Sequence, residues 1–267
     1  MRIAHGHALA LVALVALAGC KKDADEARKL LVADGLANIV LTKTGSGTFD
    51  FAGDSLDGEH CTGNIGVGGG AGGSTTTSFT NKTCDPGDNT KPDYEPRQKK
   101  ACDAGSIRAC GRLGAFLTNT PAREAEARVV LERACGGGEA AACGNLGVLT
   151  LKGRGGSIDA SRARSLFDRA CDGGAGDRCS AVGVMYMMGE GGSVDGPRGL
   201  AAFRKGCEAD SIEACLNYGR ALVMGDGGPK DIEGAKGAFE KGCRLGSDKA
   251  CQAVKNLGSD GGAGAGG

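Results

Sequence analysis

The chain has 267 residues, and its 32 basic and 32 acidic side chains give a formal net charge of zero at pH 7. This balance indicates neither a nucleic-acid partner nor a membrane surface bound by electrostatic attraction. Thirteen cysteines in a chain without tryptophan predict a disulfide-permissive, extracytoplasmic compartment and a modest apolar core.

Residues 1–19 have the layout of a secretory signal peptide. The apolar run from Ala8 to Ala18 is too short to span a bilayer comfortably. It closes with Leu-Ala-Gly-Cys at 17–20, which resembles the lipobox of bacterial lipoproteins, where the leader is cut before an acylated cysteine. The resemblance implies acylation of Cys20, and Lys21 after it favours the outer membrane. The alternative is an ordinary signal peptide with a chance cysteine.

Residues 20–35 are predicted to be a lipidated tether or short helix that stops at Gly35, because charges dominate its first half. Residues 36–86 are predicted to form a small glycine-rich β unit. Alternating or β-branched runs begin at Ile39, Thr48 and His60. The segment 87–97 is predicted to be a polar linker.

Ten cysteines form five pairs, and the two cysteines of each pair are eight residues apart. The first cysteines of successive pairs are separated by 33, 36, 36 and 36 residues. Such a period predicts a repeat array, which occupies residues 98–258. A disordered glycine-rich tail is predicted at 259–267. The pairs are Cys102 and Cys110, Cys135 and Cys143, Cys171 and Cys179, Cys207 and Cys215, and Cys243 and Cys251.

Two amphipathic helices are predicted for each repeat. Helix B ends at the first cysteine of a pair, and helix A begins at the second. Large residues recur four positions before the first cysteine, as in Phe167 and Phe203. A glycine recurs inside helix A four positions after the second cysteine, and we expect it to allow close approach between helices. These helix A glycines are Gly114, Gly147, Gly183 and Gly219.

The connection from helix A to helix B is glycine-rich in three repeats. Asp159, Asp195 and Asp231 close these connections where a helix N-cap is needed, and a carboxylate there accepts hydrogen bonds from free backbone amides. The first connection is shorter, and Thr120-Pro121 is expected to supply its cap and first helical residue.

These features resemble the Sel-1-like repeat family, whose helix pairs are related to tetratricopeptide repeats. The best match is Val182-Gly183-Val-Met-Tyr186-Met-Met-Gly189-Glu-Gly191, followed by Asp195 and Phe203. The resemblance implies a mainly α fold in which a right-handed α/α solenoid of disulfide-bridged helix pairs follows the small β unit in the chain. Leu117, Thr150 and Leu222 replace the family's tyrosine elsewhere, which weakens any groove that depends on those tyrosines.

The spacing of the paired cysteines looks more specifically like the cysteine-rich, secreted branch of that family, in which each pair is a disulfide. Local pairing alone gives every repeat the same geometry. Cys61 and Cys84 then remain for each other, and no free thiol is left. Zinc is the alternative reading, but its sites favour cysteines two to four residues apart. Neither a metal nor a cofactor is predicted.

The leading functional hypothesis is an envelope-anchored lipoprotein whose solenoid binds an unknown protein or peptide on a concave face lined by helix A. The alternative is an envelope hydrolase or binder of a peptidoglycan-like or β-lactam ligand, as the cysteine-rich branch has been linked to β-lactams. A third hypothesis is a purely structural lipoprotein with no discrete ligand. Ser-x-x-Lys does not occur, and His60 is the sole histidine after residue 19. Enzymatic activity is therefore not expected, and no catalytic residue is named.

Overall fold

The structure, a computed structural model, describes residues 21–33, 35–45, 48–69, 75–85, 89–90 and 92–260. The predicted signal peptide, Cys20, the stretch 70–74 and residues 261–267 of the predicted tail lie outside the described residues. The tail was predicted to begin at 259, which is two residues too early, because residues 259 and 260 still belong to the last helix. The chain divides into two compact units, residues 1–109 and 110–267. Among the helices of the described ranges, none combines the length and the apolar character needed to cross a bilayer.

The N-terminal unit contains a helix packed on a four-stranded antiparallel sheet of order β1-β2-β3-β4. Three strands were predicted, and the fourth was missed because its threonine-rich sequence lacks an alternating apolar pattern. The elements are α1 (Lys21–Ala33), β1 (Leu36–Gly45), β2 (Thr48–Ser55), β3 (His60–Gly69) and β4 (Thr75–Asp85).

One core fills the space between α1 and the sheet. Ala24, Ala27 and Leu31 recur at helical spacing and supply the helix side of this core. Phe49 and Phe51 supply the sheet side with exposed fractions of 1% and 3%. Alternation along a strand places both rings on the same face, as the sequence predicted. Gly35 follows α1 with a φ of 82°, which suits the predicted helix stop.

Helix α2 (Tyr94–Asp103) belongs to the same unit and begins inside the segment predicted to be a linker. Its fully buried Gln98 donates from Nε2 to the carbonyl oxygen of Gly58 at 2.9 Å. The Asp57 carboxylate accepts from the Ser106 hydroxyl at 2.7 Å. These two bonds hold the β2–β3 turn against α2 and the residues that follow it.

Within the described residues 104–260, nine helices alternate along the chain. Helices α4, α6, α8 and α10 are B helices, and each packs on the A helix that comes after it. The elements are α3 (Ile107–Thr118), α4 (Glu124–Gly136), α5 (Ala140–Lys152), α6 (Ala160–Asp172), α7 (Gly176–Met188), α8 (Gly196–Glu208), α9 (Ile212–Met224), α10 (Ile232–Arg244) and α11 (Asp248–Asp260). The array is a mainly helical α/α solenoid, as predicted.

The predicted caps of three B helices are confirmed. Carboxylates of Asp159, Asp195 and Asp231 accept from the backbone amides three residues on, at 2.9, 3.1 and 2.8 Å. The A helix before each connection ends at a left-handed glycine. Short local interactions therefore set both ends of each connection.

The predicted cap of the first connection is wrong. Helix α4 begins at Glu124, and its N-cap residue Arg123 makes no capping bond through its side chain. The Thr120 hydroxyl instead donates to the Phe116 carbonyl at 3.0 Å. Thr120 is thus engaged at the end of α3, and Glu124 and Glu126 place negative charge near the amino end of α4.

The helix A glycines contact the large residues of the following B helix, which confirms the expected close approach. A Cβ atom on Gly147 would lie 2.7 Å from the Phe167 ring, and one on Gly183 would lie 2.5 Å from the Phe203 ring. Gly114 and Gly219 face Leu131 and Phe239 in the same way. In α11 the corresponding position is Lys255.

A second set of glycines makes close backbone contacts between neighbouring repeats. We call Gly155, Gly191 and Gly227 the loop glycines. Each has a φ between 71° and 82°, and a Cβ on each would lie 2.2–2.3 Å from backbone atoms at the start of the preceding B helix. Only glycine meets both requirements, which explains why this position repeats.

Candidate ligand-binding groove

A groove of about 800 Å³ crosses α7, α9 and α11. These are three successive A helices, the helices that the sequence predicted to line a binding face. The volume falls within the range of ligand-binding pockets. Two buried rings of the B helices, Phe203 and Phe239, also line it. The glycines that admit these rings against α7 and α9 therefore also shape the groove.

Methionines contribute prominently to this lining. Three of the five methionines in the chain, Met187, Met188 and Met224, line the groove. Met188 is 74% exposed, Met224 is 66% exposed, and Val194, which also lines the groove, is 65% exposed. Exposed apolar side chains that share one concave surface are typical of interaction sites, and flexible thioethers can adapt to irregular shapes.

The polar groups of the groove differ in how they are engaged. Asn217 donates to the Ser180 hydroxyl at 3.1 Å, and Asn256 accepts from Gln252 at 2.9 Å. Asp226 contributes a carboxylate from the loop after α9. Arg220 is exposed on α9, and its side chain has no hydrogen bond, ion pair or ring contact with any residue that the structure describes. The groove thus combines apolar walls with one unpaired cation.

Tyr186 on α7 is a structural link and does not line the groove. Its hydroxyl donates to the Asp168 carboxylate at 2.6 Å, and the Arg164 and Arg198 guanidinium carbons lie 4.9 and 5.7 Å from its ring centre. Burial, and then the bond to Asp168, raise the pKa of Tyr186. The neutral phenol therefore joins α6, α7 and α8. Thr150 and Leu222 stand at this position in neighbouring repeats.

The predicted cysteines that the structure describes lie at the joints of the fold, and none of them lines the groove. Cys61 on β3 is joined to Cys84 on β4, its direct cross-strand neighbour. Four disulfides close the turns from a B helix to the next A helix, with Cα–Cα distances of 4.4–4.6 Å. They are Cys135–Cys143, Cys171–Cys179, Cys207–Cys215 and Cys243–Cys251. Cys102 and Cys110 are also disulfide-bonded.

In the described ranges, one group of three residues has possible ligand atoms close enough together to hold a metal ion. It comprises Glu59, Cys61 and Cys84. Because both sulfurs are consumed by the disulfide, neither is available as a thiolate ligand. His60 beside them is half exposed, and its Nδ1 lies 3.2 Å from the Asp54 carboxylate. We assign no metal role to this group.

The sequence predicted that A helices line one face of the array, but not which of their residues characterise the groove. Met188, Met224 and Arg220 were not singled out. The 36-residue register contains the missing signal, because it aligns Met188 with Met224. In the same alignment Arg220 occupies the repeat position that Val148 and Val184 occupy in the two preceding repeats. A cation therefore replaces an apolar residue at this position.

The fold and the groove together define an α/α repeat protein whose A helices line a groove and whose helix pairs are bridged by disulfides. The family model described as the Sel1 repeat matches residues 140–174, 179–211 and 212–247. Three segments of the helical array therefore match the Sel1 repeat, in agreement with the resemblance seen in the sequence.

Two solved structures illustrate the similarity. One is c5321, a protective antigen of uropathogenic Escherichia coli strains that displays an SLR fold. It is 25% identical with a TM-score of 0.57, covering 62% of this chain and 36% of that chain. This chain thus spans about a third of the length of c5321.

The other is a Sel1 repeat protein from Oxalobacter formigenes. It is 24% identical with a TM-score of 0.57, covering 66% of this chain and 73% of that chain. This similarity supports the fold alone. No curated protein matches the sequence.

Proposed function

We propose that this chain is a lipoprotein of the cell envelope, held in the outer membrane through Cys20, whose Sel1 solenoid binds a protein or peptide segment. One observation carries the binding part of the proposal. Met188 and Met224 are both exposed in one groove of about 800 Å³, and the rest of its lining is mostly apolar. Covering such a surface with apolar side chains of a partner is favourable, and this supports a binding role.

The groove offers binding groups and no arrangement for nucleophilic catalysis. Its lining contains apolar side chains, two asparagines, Arg220 and Asp226. Acyl transfer of the serine or cysteine type needs a nucleophile within reach of a base. Nothing in the lining favours the hydrolase alternative over binding.

Site-specific photo-crosslinking in the native envelope tests the binding role. A photoreactive benzoyl-phenylalanine is placed at position 188 or 224 in the groove, or at position 236. Lys236 is exposed on α10 and lies outside the lining, so it serves as the matched control. We expect discrete adducts with protein partners at positions 188 and 224 and none at 236. Identical adduct patterns at all three positions would contradict a groove-specific partner.

The anchoring part is supported by the lipobox-like sequence and is tested separately. Cys20→Ser removes the only acylation site that the sequence predicts, so the protein should move from the detergent phase to the aqueous phase on phase separation. Lys21→Asp leaves the cysteine in place and should stay in the detergent phase. A Cys20→Ser protein that still partitions with detergent would show that Cys20 is not the anchor.

A further inference from the structure

We propose that the groove selects a peptide segment with one internal acidic side chain that is flanked on both sides by apolar residues, and that Arg220 binds the acid. This inference rests on the proposed function and names the chemistry of the partner. It follows from three features of the groove: an unpaired cation, apolar walls on both sides of it, and a second charge of opposite sign.

The unpaired cation is Arg220. Its side chain is exposed among Val223, Met224 and other apolar groups, and no residue that the structure describes pairs with it. When a partner covers the groove, the guanidinium loses water. Burying a charge is costly unless an opposite charge and hydrogen bonds compensate, and a carboxylate matches the planar donors of arginine. A partner that fills this groove therefore needs a carboxylate at Arg220.

The position of Arg220 identifies the carboxylate as an internal side chain. Arg220 lies on α9, the middle helix of the three. Val184 and Met187 line the groove from α7, and Ala253 and Leu257 line it from α11. A chain that ended at Arg220 would leave one apolar wall uncovered. A chain that passes across Arg220 covers both walls and presents its acidic residue at the centre.

The groove favours a single acidic residue. Asp226 also lines it, so a segment of dense negative charge would meet a like charge there. In the other A helices, the repeat position that corresponds to Arg220 does not carry a cation. The residues at the corresponding positions are Ala115, Val148, Val184 and Asn256. The repeats thus provide one carboxylate-binding position within an apolar surface.

Fluorescence anisotropy with three labelled peptides tests the selectivity on the full chain with its disulfides intact. The first probe is a nine-residue peptide of leucine and alanine with a central glutamate and blocked ends. The second carries glutamine in place of the glutamate. The third carries the central glutamine and a free terminal carboxylate. We expect the first to bind about tenfold tighter than the other two, the usual effect of one charge-assisted hydrogen-bonded pair.

Arg220→Gln should abolish this preference and leave the affinity for the glutamine peptide nearly unchanged. Arg204→Gln is the matched control. Arg204 is an exposed arginine on α8 outside the lining, and its partner Glu208 is 3.8 Å away. This variant should keep the tenfold preference. Thermal melting of both variants checks that the fold is retained.

Equal binding of the glutamate and glutamine peptides would overturn the inference, as would a preference that survives Arg220→Gln or a preference for the terminal carboxylate. If the probes bind without regard to charge and block crosslinking at position 188, the proposed function stands and the acidic selectivity fails. If no probe binds and no adduct forms at positions 188 and 224, both fail.

Discussion

The N-terminal sheet and the helical array both contain few large apolar residues, and they are stabilised by different kinds of contact. In the sheet unit, one core joins residues as distant in sequence as Ala24 and Ile65, and one disulfide closes a separation of 23 residues. In the array, each disulfide closes a separation of eight, and each B helix packs on the A helices next to it in sequence.

This difference predicts how far the loss of one contact destabilises the rest of each region. A repeat array is stabilised by contacts between neighbours, so a lost contact weakens one boundary. The sheet unit has a single core, so a lost contact weakens all of it. Hydrogen exchange measured by mass spectrometry on peptides from residues 21–85 and 110–260 distinguishes the two regions, while chemical denaturation gives the free energy of unfolding.

Gly191→Ala should have the largest effect on the array. The alanine would need a left-handed φ, which costs about 1–2 kcal/mol. Its Cβ would also lie 2.3 Å from the Ala160 carbonyl oxygen, and overpacking of this kind costs about 1–3 kcal/mol more. We expect the free energy of unfolding to fall by about 2–5 kcal/mol, with faster exchange in α6 to α8.

Gly174→Ala is the control for that substitution. Gly174 also has a positive φ of 89°, but a Cβ there would meet nothing within 4 Å. It should lose only the conformational part, about 1–2 kcal/mol. Equal losses in the two variants would show that the backbone contact between repeats contributes nothing.

Removing a disulfide compares the two regions directly. On the chain-entropy model, Cys61→Ala with Cys84→Ala should cost about 3.5 kcal/mol, and Cys171→Ala with Cys179→Ala about 2.5 kcal/mol, because the loop in the sheet is longer. Exchange should quicken throughout the sheet in the first variant and only near α6 and α7 in the second. Quickened exchange across the whole array would contradict neighbour-limited stability.

A terminal disulfide refines this test. Cys243→Ala with Cys251→Ala removes a bridge of the same separation, eight residues, as that of the central pair. It joins the last two helices of the described array, so fewer neighbours depend on it. We expect a smaller loss than at Cys171 and Cys179. A loss as large as the central one would show that position in the array is unimportant.

Gly183→Ala should have an intermediate effect. Its Cβ would lie 2.5 Å from the Phe203 ring, which must shift, at a cost of about 1–3 kcal/mol. Because Phe203 lines the groove, binding of groove ligands should also weaken. Gly237→Ala is the matched control on α10, where a Cβ would meet nothing within 4 Å. It should stabilise the protein by up to about 1 kcal/mol through helix propensity.

Tyr186→Phe should have the smallest effect. It removes the hydroxyl that binds Asp168, at a cost of about 1 kcal/mol. Because the pKa of Tyr186 is raised from the usual 10.0, its stabilising effect is present below pH 10 and is lost as the pH rises through the higher folded-state value. Denaturation measured at increasing alkaline pH should show a steeper loss for the wild type than for Tyr186→Phe.

Much of the array follows from its sequence because its controlling interactions are local. The paired cysteines, the capping aspartates and the glycines that end helices each interact with residues only a few positions away. Because each of these features recurs every 36 residues, each prediction is reinforced by the others. The failure at Thr120 occurred where that register broke, since the first interval is 33 residues. The strand β4 was missed because backbone pairing with β3 forms it, while its own apolar pattern is weak.

The sequence alone determined the helix pairs, the caps of three B helices and the positions of the cysteines, because these depend on short-range geometry repeated along the chain. Tertiary structure decided which side chains share one surface. Met188, Arg220 and Leu257 lie on three helices that are separated by intervening B helices, and only packing brings them to one groove. The loop glycines recur in the sequence, but their contact with the preceding B helix depends on how closely two repeats approach.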